Sequence, residues 1–292
     1  MARVVRSLPA NQPAPATRTA LIIDCHTHLN RYVESQPVSL ADRYAQLHAD
    51  MDANGVQHAV VLSSYTVNAD RPSTDELLEL MEGDPRVSVV AGVSVPHLGS
   101  DQVMHLRRLL ESRRIKGLKL YPGYQPFHLY DRVVHPIYEL AGDFDVPVMV
   151  HTGDTFNPKA KVRYTHPMEV DDVAVDFREV TFVLCHMGNP WFVDAMEVVY
   201  KNENVLGDIS GLTLGTFEPR YERMVTGKID EALAFINNPS KLMFGTDWPI
   251  SDMGSYLAFA AKLETTDDER EGMMWRNAAR VFRIPVQEQA DG

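Results

Sequence analysis

The sequence predicts an α/β protein folded as a single (β/α)8 TIM barrel. Three observations carry that expectation. The length, 292 residues, suits a fold that takes about 250 residues. Apolar runs and amphipathic stretches alternate eight times after residue 20 with no break in composition between them, the pattern of strand–helix units. The apolar runs are short, continuous and rich in Val and Ile, as in a parallel sheet buried on both faces.

The elements follow in order. Residues 1–18 read as a flexible, extended tail, since Pro9 to Ala16 is rich in Pro and Ala, and 19–292 read as the barrel with its C-terminal helices. The first strand is Leu21 to Cys25. A helix from Leu40 to Asn54 has Ser39 as N-cap and Gly55 as its stop. Further strands are His58–Leu62, Val87–Val95, Ile115–Leu120, Val146–Val150, Thr181–Cys185, Val205–Ile209 and Leu242–Phe244. Helices are expected over 74–82, 101–112, 132–141, 168–177, from Pro190 to Tyr200, 228–236, 255–263 and 267–282.

Composition narrows the function. Charge is −12, from 40 acidic and 28 basic residues, and no Lys/Arg cluster of the kind that neutralises phosphates is present, so nucleic acid is not expected as a partner. No apolar run reaches the roughly 20 residues of a membrane span, and no h-region follows Arg3 and Arg6, so no membrane or signal segment is expected. Two cysteines fit a reducing cytoplasm. If the neighbouring histidines face the barrel axis, alternation turns Cys25 and Cys185 towards the helices. A homo-oligomer is left open.

Function concentrates at the strand ends. His26 and His28, Lys119, His151, His186 and Asp247 each close or follow a strand, and active sites of such barrels lie at that end. Two residues apart on a strand, His26 and His28 share a face about 6.6 Å apart, from a rise of roughly 3.3 Å per residue. Imidazole with carboxylate suits zinc or a neighbouring divalent transition metal rather than Ca²⁺ or Mg²⁺. Alone, each histidine reads as a core residue and Asp247 as a helix cap; the set, repeated at separate strand ends, reads as a metal site. Asp24 reads as a partner of a ligand histidine.

These residues carry a resemblance. Ile22-Ile23-Asp24-Cys25-His26-Thr27-His28, Gly117-Leu118-Lys119-Leu120-Tyr121-Pro122, Pro147-Val148-Met149-Val150-His151-Thr152-Gly153, His186-Met187-Gly188, Asp208-Ile209-Ser210-Gly211 and Phe244-Gly245-Thr246-Asp247-Trp248-Pro249 together resemble the amidohydrolase superfamily. The nearer branch is that of metal-dependent hydrolases and nonoxidative decarboxylases similar to aminocarboxymuconate semialdehyde decarboxylase. The resemblance covers nearly all of the chain after residue 20 and implies a barrel of metallo-dependent hydrolase type.

It implies that His26, His28, His151 and Asp247 hold one divalent ion, most simply zinc, and that His186 meets the activated water or the substrate. Asp247 then accepts the proton of that water and passes it to the leaving group. The implied reaction is hydrolysis of a small carboxylate-bearing ester, lactone or amide, with nonoxidative decarboxylation on the same site as the alternative. Lys119 is either a cation for an anionic small-molecule substrate or, carboxylated, a bridge to a second metal. Tyr121, Trp248 and Arg163 are further candidates for substrate contact, with Arg220 beside them.

Overall fold

The computed structural model describes residues 21–286, so the expected tail lies outside the described residues. Among them, eight parallel strands pair in sequence order: β1 (Ile23–Thr27), β2 (His58–Leu62), β3 (Val87–Gly92), β4 (Leu118–Leu120), β5 (Val148–Val150), β6 (Phe182–Leu184), β7 (Val205–Asp208) and β8 (Leu242–Met243). The seam between β8 and β1 is closed by main-chain bonds. Cys25 N donates to Phe244 O at 3.0 Å, Asp247 N to His26 O at 2.8 Å and His28 N to Trp248 O at 2.7 Å. The expected barrel is therefore the observed one, and its closing seam runs through three of the nominated ligands.

Helices α1 (Leu40–Asn54), α2 (Thr74–Leu80), α3 (Ser100–Glu111), α4 (His135–Phe144), α5 (Met168–Asp176), α6 (Phe192–Lys201), α7 (Pro219–Ile236) and α8 (Met253–Ala260) alternate with the strands. The first has the bounds and caps read from the sequence: Ser39 Oγ accepts from Asp42 N, and Gly55 turns left-handed at φ 67°. Helix α7 begins at Pro219, earlier than the expected Lys228, because proline fits the first helical turn and Val225 extends its buried stripe. The C-terminal stretch is not one helix. It divides into α9 (Asp267–Glu271), a π-type turn over Gly272–Arg276 and α10 (Asn277–Val281). At the break, Gly272 packs against the carbonyl of Pro239, where a side chain would collide.

Two apolar clusters separate by strand alternation. On β2, Ala59 and Val61 belong to the layer under the helices, whereas Val60 and Leu62 belong to the barrel interior. The interior cluster also holds Ile23, Val90, Met149, Val183 and Met243, with Phe282 and Ile284 of the C-terminal segment packed against it. Here one expectation fails. Cys25 and Cys185 join the interior cluster instead of facing the helices. Alternation is interrupted at both places: the β1–β2 register shifts between Asp24 and Thr27, and β6 ends at Leu184 before a left-handed turn at His186 and Met187.

Candidate metal centre

The site grows from the C-terminal ends of β1, β5, β6 and β7 and the segment after β8. His26 and His28 approach one carboxylate oxygen: Asp247 Oδ1 lies 3.8 Å from His26 Nε2 and 3.3 Å from His28 Nε2. Ligand-type atoms of these three residues all lie within 4.8 Å of one another. All are buried. Two of the chain's nominated chemical groups sit on strained backbone, His186 at φ 63° and Asp247 at φ 67°, a region that residues other than glycine rarely occupy and that clusters at functional sites.

The hydrogen bonds fix where the imidazole protons sit. His26 Nδ1 lies 2.9 Å from Asp208 Oδ2, and His28 Nδ1 lies 2.8 Å from Leu62 O. Both partners only accept, so both Nδ1 atoms carry the proton and both Nε2 lone pairs turn to Asp247. His186 Nδ1 lies 3.0 Å from Ser210 O, so its Nε2 accepts from His151 Nδ1 at 3.2 Å. That leaves His151 Nε2 as a lone pair, and this atom is buried without a partner. Three imidazole lone pairs and a carboxylate in one pocket repel one another unless a cation joins them, so the donor set fits a divalent ion.

Electrostatics agree with that wiring. Burial first, then the Lys119 charge, pushes His26 down to about 4, and burial and the neighbouring His186 hold His151 well below the usual range. Burial and Lys119 also lower His186, against the pull of Asp247 and Asp208. Burial would raise Asp247, but its neighbours His28, His26 and His186 hold it below the ordinary carboxylate range. Neutral imidazoles beside an ionised carboxylate are the protonation states a metal needs.

One functional residue was quoted in a motif yet given no role. Asp208 is fully buried and accepts from His26 Nδ1 as well as from the main-chain amides of His186 and Ser210, each at 3.0 Å. The His26 interaction holds it ionised despite burial. Asp24, expected to brace a ligand ring, instead accepts from the main chain of His26 and from Thr246 N and Oγ1. It ties β1 to the end of β8, and burial pushes its carboxyl up to about 7. The correction has a simple cause: the His26 ring turns to β7, where Asp208 waits.

The pocket wall combines aromatics with two cations. Tyr32, Tyr65, Tyr121, Tyr124 and Phe156 line it with Lys119 and Arg71. Lys119, 1% exposed, donates from Nζ to Cys185 Sγ at 2.8 Å and lies 5.4 Å from the Tyr121 ring centre. Arg71 went unnoticed in the sequence, where nothing distinguishes it from a surface arginine. Its guanidinium lies over Tyr32 and Tyr65 at 5.7 and 5.9 Å. Free space in this pocket is only about 50 Å³.

Three nominated contacts lie elsewhere. Trp248 lines a neighbouring cavity, because its indole donates to Asp50 Oδ2 on α1 at 2.7 Å and is drawn away from the histidines. Arg163 is exposed on the short turn Val162–Tyr164, with its guanidinium over Tyr164, and Arg220 is exposed on α7.

Residues 23–284 match the family model described as Amidohydrolase. The chain belongs to the amidohydrolase family. It is thus an enzyme of the metal-dependent hydrolase and decarboxylase kind, the family expected from its motifs. No curated protein matches it in sequence. Among solved structures it is similar to an uncharacterized TIM-barrel protein from Bordetella bronchiseptica, at 20% identity over 90% of this chain and 98% of that one, TM-score 0.70. It is also similar to a dihydroxybenzoic acid decarboxylase from a Polaromonas species with bound manganese and the inhibitor 2-nitroresorcinol (16% identity, 90% and 97% covered, TM-score 0.67). A third is a probable 2-pyrone-4,6-dicarboxylic acid hydrolase from Acinetobacter baumannii with citric acid bound (15% identity, 90% and 99% covered, TM-score 0.62).

Proposed function

We propose that this amidohydrolase hydrolyses a small carboxylate-bearing ester, lactone or amide, with one divalent ion held by His26, His28, His151 and Asp247. The observations that support the reading are the approach of His26 and His28 Nε2 to the Asp247 carboxylate and the buried, unpaired His151 Nε2 in the same pocket. A divalent ion in that set supplies positive charge that polarises a substrate oxygen and acidifies water. The donors suit zinc; manganese, present in the Polaromonas decarboxylase, is the other candidate.

The remaining roles fall to this chain's own groups. Asp247, ionised and the most accessible of the close carboxylates at 13% of its side chain, accepts a proton at Oδ1 or Oδ2 and returns it to the leaving group. His186 is held by Ser210 and directs its Nε2 to His151, which fixes the ligand tautomer and borders the reacting carbonyl. Arg71, with no carboxylate within ion-pairing distance among the described residues, binds the substrate carboxylate, and the tyrosines exclude water around it. Lys119, engaged with Cys185, acts as an uncarboxylated cation, so one metal suffices.

A second reading, nonoxidative decarboxylation, is favoured by the fold shared with the Polaromonas enzyme. Product analysis on panels of lactones, esters and aryl carboxylates decides between them. Acid released with water consumed supports hydrolysis; CO₂ released without it overturns hydrolysis. Metal analysis of the purified protein identifies the ion.

A further inference from the structure

We infer that residues 155–160, in the loop after β5, are a gate over the metal pocket, with Phe156 as its latch. The inference rests on the proposed use of that pocket for substrate. Free space there is about 50 Å³, whereas small-molecule sites begin at roughly 300 Å³. An ester, lactone or amide that carries a carboxylate therefore needs part of the wall to move.

Phe156 is the part built to move. Of the residues that line the pocket it is the one exposed side chain, at 46%. Its neighbours in the wall are tied down. Tyr121 Oη donates to Ser63 O at 2.6 Å, Tyr32 Oη accepts from Asn30 Nδ2 at 2.9 Å, and Arg71 Nη1 donates to Ser64 Oγ at 3.3 Å. The loop itself is bonded at its base, where Gly153 N donates to Thr165 O at 2.8 Å, Asp154 N to Asn189 O at 2.7 Å and Lys161 N to Gly123 O at 3.0 Å. Between these anchors, among the described residues, 155–160 make one hydrogen bond beyond their own loop, from Phe156 N to Tyr124 Oη at 2.9 Å. The Phe156 ring adds an edge contact to Tyr32, with ring centres 5.7 Å apart. One hydrogen bond and one ring contact make a weak latch, of the kind that opens locally while the barrel stays folded. It lies close to the chemistry, because the Tyr124 ring sits 4.8 Å from that of His151.

Diethyl pyrocarbonate, which acylates accessible neutral imidazoles, reads the gate in the full-length protein stripped of metal, with each modified histidine identified by peptide mass spectrometry. His151, whose Nε2 is buried and unpaired, should react slowly in the parent. In Phe156→Ala it should react about two- to tenfold faster, the worth of one aromatic contact. Tyr124→Phe keeps the ring but removes the oxygen that holds Phe156 N, and should give a gain of about two- to tenfold, the worth of one hydrogen bond. Exposed His97 and His58, buried at the start of β2, should keep their rates in both variants. An unchanged His151 rate in both variants overturns the gate, and so does an equal gain at His58, the sign of a loosened fold. The reading needs neither metal nor turnover, so failure here leaves the proposed metal chemistry standing, and failure of that chemistry leaves this result readable.

Discussion

The two ends of the barrel interior are built from the same alternating strand positions but to opposite purposes. The lower layer holds Ile23, Val60, Val90, Met149 and Phe282, an apolar plug sealed by the C-terminal segment. The layer at the C-terminal ends holds His26, His28, Lys119, His151, His186, Asp208 and Asp247, equally buried and nearly all polar. The plug is stabilised by area removed from water. The polar layer is tolerable only because its protons are assigned one by one and, on the proposed reading, because an ion completes it. Stability and chemistry are thus stacked a few ångströms apart on one set of strands, as barrel folds allow.

That division can be broken from the polar side. Asp247→Asn should cost about 10²- to 10⁴-fold in turnover, the range for a lost acid–base group, while the melting temperature stays near that of the parent; retained turnover would sink the proton role. Asp208→Asn should weaken metal affinity about 10- to 100-fold, as outer-shell partners do, readable by competition with a chelator. Removing the metal itself should abolish activity and lower thermal stability, both restored on adding it back.

From the apolar side the expectation reverses. Phe282→Ala should lose about 3–5 kcal/mol in urea unfolding, the cost of emptying a core aromatic, with turnover unchanged at a temperature where the fold persists. The smallest effect separates neither end. Both layers hold a histidine that burial pushes down to about 4, His26 in the upper and His58 below. Such groups stay neutral when folded and protonate when unfolded, so the metal-free protein should lose stability as pH falls from about 6.5 towards 4. A urea midpoint as high at pH 5 as at pH 7 would contradict this.

Much of this was legible in the chain. Strand alternation, the caps of α1 and the ligand-type residues within or after β1, β4, β5, β6 and β8 are local signals, because period, turn chemistry and strand ends are set by near neighbours. Where the signal was not local, the reading slipped. Trp248 follows Asp247 directly, yet its partner Asp50 lies 198 positions away and turns it into another cavity. The cysteine faces inverted because the β1 register shift and the His186 turn break the two-residue period.

The sequence by itself determined the barrel and the family and nominated the residues with metal-ligating side chains, since each depends on residue type and spacing. Only the tertiary structure decided their protonation and company. Asp208 fixes the His26 ring across the barrel, Arg71 rather than Arg163 faces the pocket, and Lys119 meets a cysteine 66 positions away. These pairings arise where strand ends meet around a closed ring, and contacts of that kind leave no trace in the local pattern of any one segment.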